Sequence, residues 1–226
     1  MTPRELIDVA EVPGGDPLRL FRRGDDFMIV LDRNELMSSR MSGSEEALAE
    51  MTLARLNAPR SATLLIGGYG MGFTLRKALA LMGPDGKAVV AELVPKIIDW
   101  ARGPMAELAA GCLDDPRTEV VMGDVGAAIA RGRGEGAGTY DAILLDVDNG
   151  PDGLTRLAND RLYTFDGLRA AKAALKPGGV LAVWSAGPDP KFARRMREVG
   201  FEVEEVAVRA RQNGKGPRHV IWFGKR

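Results

Sequence analysis

Two kinds of hydrophobic pattern divide the chain near residue 58. In the first part apolar and polar positions mix at short range. Leu18-Arg-Leu-Phe-Arg runs up to Gly24-Asp25-Asp26 and Phe27-Met-Ile-Val-Leu returns, so residues 18–31 predict a β-hairpin. A second turn, Asp32-Arg-Asn-Glu35, leads to a short extended stretch near Leu36-Met37. Ser42 followed by Glu45 has capping-box spacing and opens an amphipathic helix over 44–56, which Pro59 ends.

Beyond residue 58 the pattern becomes short, unbroken apolar runs separated by helical stretches. Thr63-Leu-Leu-Ile precedes a helix over 74–82, Ala88-Val-Val-Ala one over 95–102, and Glu119-Val-Val-Met one over 125–130. Ala142-Ile-Leu-Leu precedes an Asp/Asn/Gly/Pro loop and a helix over 165–175; Val180-Leu-Ala-Val-Trp precedes one over 190–199. Runs without alternation suit parallel strands buried on both faces. Alternating strands and helices build a doubly wound sheet. Residues 203–209 and 219–223 flank a Gly/Pro-rich turn, which predicts a closing antiparallel hairpin. The expectation is therefore an α/β, Rossmann-like domain over 59–226. Its sheet is mostly parallel with a C-terminal antiparallel hairpin, and a hairpin-and-helix segment over 1–58 precedes it.

Composition narrows the partners. The 226 residues carry 31 basic and 31 acidic side chains, so no global field draws the chain to nucleic acid or membrane. The basic clusters at 194–197 and 209–218 lack interleaved aromatic residues and read as solvated faces. No apolar run approaches membrane-spanning length, and 1–16 has no signal-peptide core; a cytoplasmic protein is expected. The single cysteine, Cys112, fits a reducing compartment and a structural role, since the only histidine, His219, is far away in sequence.

In open α/β sheets ligands bind beyond the carboxyl ends of the strands, where strand order reverses. The residues just after each apolar run form a coherent set. After the first come Gly67-Gly68-Tyr69-Gly70-Met71-Gly72, whose glycines let a backbone approach a ligand closely. After the second comes Glu92, which can accept both hydroxyls of a ribose, followed by Leu93. After the third come Asp124 and Val125; Asp124 can take an adenine amino hydrogen or simply cap a helix. After the fourth comes Asp146, with Asp148 and Asn149 behind it. Those three are hard oxygen ligands, but acids in a turn ordinarily form the turn, and no metal is expected. Met71, Tyr69 and Trp184 are candidate pocket walls.

The stretches Leu65–Arg76, Val90–Pro95, Val120–Val125, Tyr140–Asp146, Leu162-Tyr163 and Leu175–Leu181 resemble class I S-adenosylmethionine-dependent methyltransferases. They are closer still to the spermidine synthase (polyamine aminopropyltransferase) family, over about residues 60–190. The resemblance implies the class I methyltransferase fold, with Gly67, Gly68, Tyr69, Gly70, Gly72, Glu92, Leu93, Asp124, Val125 and Asp146 around the nucleoside. It makes Glu92 the ribose ligand, Asp124 the adenine ligand and Asp146 the catalytic acid on the acceptor side. Arg40, Glu45, Asp148, Asn149, Tyr163 and Trp184 are the candidates for holding the acceptor.

Two departures bear on the reaction. The family's glycine loop carries an aspartate facing the aminopropyl amine; Gly70 or Met71 stands there. The family's Tyr-His pair before the first core helix is replaced by Glu45-Glu46, with no histidine nearby in sequence. With these groups missing, the expectation is methyl transfer from intact S-adenosylmethionine to a small-molecule acceptor. The alternatives are aminopropyl transfer from decarboxylated S-adenosylmethionine in polyamine biosynthesis, a nucleoside-binding protein without catalysis, and an NAD enzyme. A homodimer is left open.

Overall fold

The computed structural model describes residues 3–133, 138–147, 151 and 159–226. Strands β1 (Glu5–Ala10), β2 (Leu18–Arg23), β3 (Asp26–Leu31) and β4 (Asn34–Ser38) form an antiparallel sheet in sequential order. The hairpin at 18–31 is β2 and β3, paired from Leu18↔Leu31 to Arg23↔Asp26. Strand β1 has no counterpart in the sequence reading. It is an edge strand that buries only Ala10 fully, so it carries no apolar run to announce it.

The second sheet has seven strands: β5 (Thr63–Gly67), β6 (Lys87–Glu92), β7 (Thr118–Met122), β8 (Tyr140–Leu145), β9 (Leu175–Ser185), β10 (Glu202–Arg209) and β11 (Arg218–Lys225). Their spatial order is β10-β11-β9-β8-β5-β6-β7. Strands β5 to β9 are parallel; β11 is inserted antiparallel between β9 and β10. From β5 the chain adds β6 and β7 on one side, then returns to add β8 on the other. The switch in strand order therefore opens a crevice above the carboxyl ends of β5 and β8.

The central strands bury both faces with a period of two. Leu64 and Ile66, Ala142 and Leu144, Val180 and Ala182, and Ile221 and Phe223 join one core. Leu65, Ile143, Leu145, Leu181, Val183 and Trp222 join the other. The first core is covered by α1 (Gly43–Leu53), α2 (Phe73–Leu81), α3 (Pro95–Arg102) and α4 (Ala106–Ala109). The second lies under α5 (Val125–Arg131), α6 (Asp160–Tyr163), α7 (Phe165–Ala174) and α8 (Pro190–Glu198). Helix α1, grouped by sequence with the N-terminal segment, packs on the large sheet against β8, β9, β10 and β11.

The capping box at Ser42 and Glu45 does not form. Ser42 occupies the N-cap without a side-chain hydrogen bond, and Glu45 is buried, accepting instead from the Ser44 hydroxyl. Among the described residues, no helix is long and apolar enough to cross a membrane.

Candidate functional site: two cavities that meet at Asp146

The loop after β5 carries the first half of the site. Gly68 has φ +84°, and a Cβ there would lie 2.9 Å from the Asp146 carbonyl oxygen. Only glycine lets this turn pass so close to the end of β8. Tyr69 donates its backbone N–H to Glu92 Oε2 at 2.8 Å, and Val94 N–H donates to Oε1 at 2.8 Å. Glu92 thereby holds the glycine loop and the start of α3 at the ends of adjacent strands. Burial raises its pKa, opposed by these backbone donors. A carboxylate at this strand end, lining the cavity, is placed to face two vicinal hydroxyls.

Asp124 ends the turn after β7 and caps α5, accepting from Gly126 N–H at 2.7 Å. Arg161 of α6 lies 2.6 Å from the same oxygen. Burial opposes ionisation of Asp124, but Arg161 and the Gly126 N–H outweigh it and hold the carboxyl below its usual range.

Gly68, Gly70, Glu92, Leu93, Gly123, Asp124, Val125 and Asp146 line one cavity of about 180 Å³. Its other wall is the N-terminal sheet, through Leu18, Ile29, Leu31, Leu36 and Met37, so residues 1–58 build part of the site. Buried Asn159 also lines it. The alternating strands at 18–31 signal an apolar face needing cover, but not what it covers.

A second cavity, of about 280 Å³, adjoins the first, and Leu36, Met37, Asp146 and Val147 line both. Its charged walls are Glu35, Glu45 and Asp146; Trp184 and His219 complete its far side. The lining of neither cavity includes a lysine or arginine among the described residues. Burial raises the pKa of Asp146 well above the usual carboxylate range, and the charge of Glu45 adds to this. Burial likewise takes Glu45 up to about 7, against the hydrogen bond from Ser44. A cation placed beside either carboxyl would favour its ionised form.

A histidine does reach this cavity, contrary to the sequence reading. His219 lies 175 residues from Ser44 along the chain, yet its Nδ1 is 2.9 Å from Ser44 Oγ. The insertion of β11 beside β9 brings it there, and nothing short of the strand order could reveal it. The ring stands edge-on to Trp184, centroids 4.6 Å apart. Trp184 Nε1 is the one buried side-chain polar atom without a hydrogen bond among the described residues.

Several singled-out residues lie elsewhere. The Tyr69 side chain turns inward, its hydroxyl 3.4 Å from Cys112 Sγ, with Gly72 lying against that hydroxyl. Met71 is core, and Gly67 is packed against Val125, Leu145 and Val147. Tyr163 belongs to the opposite core, edge-on to Phe192 at 5.7 Å. Arg40 pairs with Asp26 on the N-terminal sheet, outside both cavities. Glu46 turns to Gln212 at 2.8 Å. Asp148 and Asn149 lie outside the described residues. No group of acids, histidines or cysteines able to hold a metal occurs among the described residues.

Known proteins resemble this chain in sequence and fold. A polyamine aminopropyltransferase of Mycobacterium tuberculosis is 31% identical over 167 residues, which is 74% of this chain and 30% of that protein. One of Aeropyrum pernix is 31% identical over 158 residues, 70% of this chain and 48% of the relative. A crystal structure of spermidine synthase with the transition-state analogue AdoDATO covers 97% of this chain and 73% of its own, with a TM-score of 0.76 and 22% identity. The fold is that of the spermidine synthase-like branch of the class I S-adenosylmethionine-dependent proteins, and the sequence is similar to polyamine aminopropyltransferases. The spermidine synthase from Thermotoga maritima gives a TM-score of 0.73 at 21% identity. No family model matches the chain. It spans less than half the length of these curated relatives.

The expectation of methyl transfer from intact S-adenosylmethionine is thereby corrected, since these relatives bear the name polyamine aminopropyltransferase. The cavities supply a physical reason. Intact S-adenosylmethionine carries a carboxylate, and the described lining offers it carboxylates with no lysine or arginine.

Proposed function

We propose that the chain is a polyamine aminopropyltransferase, moving the aminopropyl group of decarboxylated S-adenosylmethionine to a small aliphatic amine. The observation that carries this reading is the pair of adjoining cavities meeting at Asp146, lined by acids without lysine or arginine among the described residues. One side suits an adenosine: Glu92 for the ribose hydroxyls, Asp124 and the Gly123 turn for the base. The other suits an organic cation, with Glu45 and Glu35 facing its ammonium groups.

The sulfonium carbon is already activated, so the chain's part is to align and desolvate. Alignment supplies about 7–11 kcal/mol in well-oriented reactions. Asp146, shared by the two cavities, holds the attacking nitrogen at their junction. The nitrogen attacks the methylene carbon beside sulfur, the C–S bond breaks, and its electron pair returns to sulfur as methylthioadenosine.

The test is product analysis by mass spectrometry, with putrescine offered alongside decarboxylated or intact S-adenosylmethionine. Spermidine and methylthioadenosine are expected from the decarboxylated donor, and Asp146→Asn should lose about 10²–10⁴ of that rate while still binding methylthioadenosine. Methylated amine from the intact donor, with no spermidine, would overturn the reading.

A further inference from the structure

We infer that His219 Nε2 is the base that receives the proton of the acceptor amine, aligned for that task by Ser44 and Glu45; the inference rests on the aminopropyl-transfer reading. The geometry is a three-member chain inside the acceptor-side cavity. With Glu45 ionised, Ser44 Oγ donates to its Oε2 at 2.6 Å, so toward His219 Nδ1, 2.9 Å away, the same oxygen acts as acceptor. Nδ1 then carries the ring proton and Nε2 bears the free lone pair. Nε2 has no hydrogen bond to any described residue, and His219 lines the cavity that Asp146 and Glu45 line. Edge-on contact with Trp184 at 4.6 Å fixes the ring. The array is that of a base oriented by a second group and stabilised by a third.

An aliphatic ammonium has no lone pair, so it must lose a proton before it can attack. In the step assigned here, the N–H bond of the ammonium breaks and its proton passes to Nε2. The freed pair forms the new N–C bond as the C–S bond breaks toward sulfur. The product amine leaves as a secondary ammonium, and the imidazolium returns its proton to water. Glu45, reached through the Ser44 hydroxyl, stabilises the imidazolium while it lasts. Burial holds His219 below its usual range, which keeps the ring neutral and receptive near pH 7. The charged groups around it are Glu45 from α1, Glu35 from β4, Asp146 after β8 and Arg218, its neighbour on β11; its β10 partner is uncharged Val208. None of the sequence motifs pointed to this residue.

The experiment compares wild type, His219→Gln and Ser44→Ala with decarboxylated S-adenosylmethionine and putrescine from pH 6 to 10. Methylthioadenosine affinity, measured by calorimetry, reports an intact donor site. At pH 7, His219→Gln should lose about 10²–10⁴ in kcat. The deficit should shrink as pH nears the amine's own pKa, about 10, because solvent then supplies the free base. Ser44→Ala keeps the imidazole but cuts it off from Glu45, so the acidic limb of its profile should move to lower pH. If wild type turns over and His219→Gln stays within about threefold of it, or falls equally at every pH, the base is not His219 while the transfer reading stands. An unmoved acidic limb in Ser44→Ala would equally overturn the inference. A wild type inactive on every amine with this donor would remove the reading and the inference together.

Discussion

The sulfur of Met37 stands 2.6 Å from the point that a Cβ on Gly70 would occupy. Strand β4 of the N-terminal sheet thus fills the space in which a side chain from the glycine loop would sit. With φ +56°, Gly70 is also in a region that few side chains adopt. The absence of an acid from this loop and the presence of Met37 above it are one structural fact.

Gly70→Asp alone is therefore expected to destabilise the protein by about 1–3 kcal/mol through overpacking, read as a lower Tm. Combined with Met37→Ala, which vacates the space, the aspartate should tighten binding of donors bearing a cationic amine. Calorimetry with decarboxylated and amine-acetylated donor analogues checks this. Equal affinities in the double variant would show that residue 70 does not face the amine.

Glu92→Gln keeps shape but replaces one accepting oxygen by an amide NH2, which must confront either Tyr69 N–H or Val94 N–H. An unsatisfied buried donor costs about 1–3 kcal/mol. Both Tm and nucleoside affinity should fall together, because the same carboxylate braces the loop and faces the cavity. A variant that loses affinity at unchanged Tm would separate those two roles.

Glu45 titrates near 7 when folded against 4.5 in its ordinary state. The folded protein therefore holds this proton more tightly than the unfolded chain, and stability attributable to Glu45 is lost as pH rises from about 4.5 through 7. Glu45→Gln should raise Tm at pH 8 and change it little at pH 5, with a ceiling of about 3–4 kcal/mol. Amine binding runs the other way: a cation prefers the ionised acid, so wild-type affinity for putrescine should weaken below pH 7 with proton release on binding. Calorimetry in buffers of different ionisation enthalpy measures that release.

Tyr69→Phe removes only the contact with Cys112 in the core. A loss near 1 kcal/mol in stability with unchanged donor affinity is expected. A tenfold loss of donor affinity would place the hydroxyl in the site after all.

What was legible followed from periodicity. Apolar runs without alternation marked β5, β6, β8 and β9, and the residues directly after them, Glu92, Asp124 and Asp146, do line a common cavity. What stayed hidden depends on contacts between distant segments. Arg161 on Asp124, Met37 over Gly70 and His219 beside Ser44 all join elements whose proximity comes from strand order or sheet docking. Ser42 and Glu45 had the right spacing for a cap, but Glu45 is buried and takes its hydrogen bond from Ser44 instead. The lean toward methyl transfer failed for a related reason. It weighed which residues were missing from a motif, whereas the acidity of the second cavity comes from Glu35, Glu45 and Asp146 gathered from three separate places.

Strand β4 pairs Met37 with Ile29 and Glu35 with Val30, leaving Leu36 as an extra residue in the ladder. Such a bulge breaks the two-residue alternation, and neighbouring Leu36 and Met37 line both chambers. On the side of the small sheet, the boundary between the two chambers is thus this irregularity, facing Asp146 and Val147 on the other. A substitution at either position resizes both chambers at once, so under the proposed function selectivity for nucleoside and selectivity for amine change together.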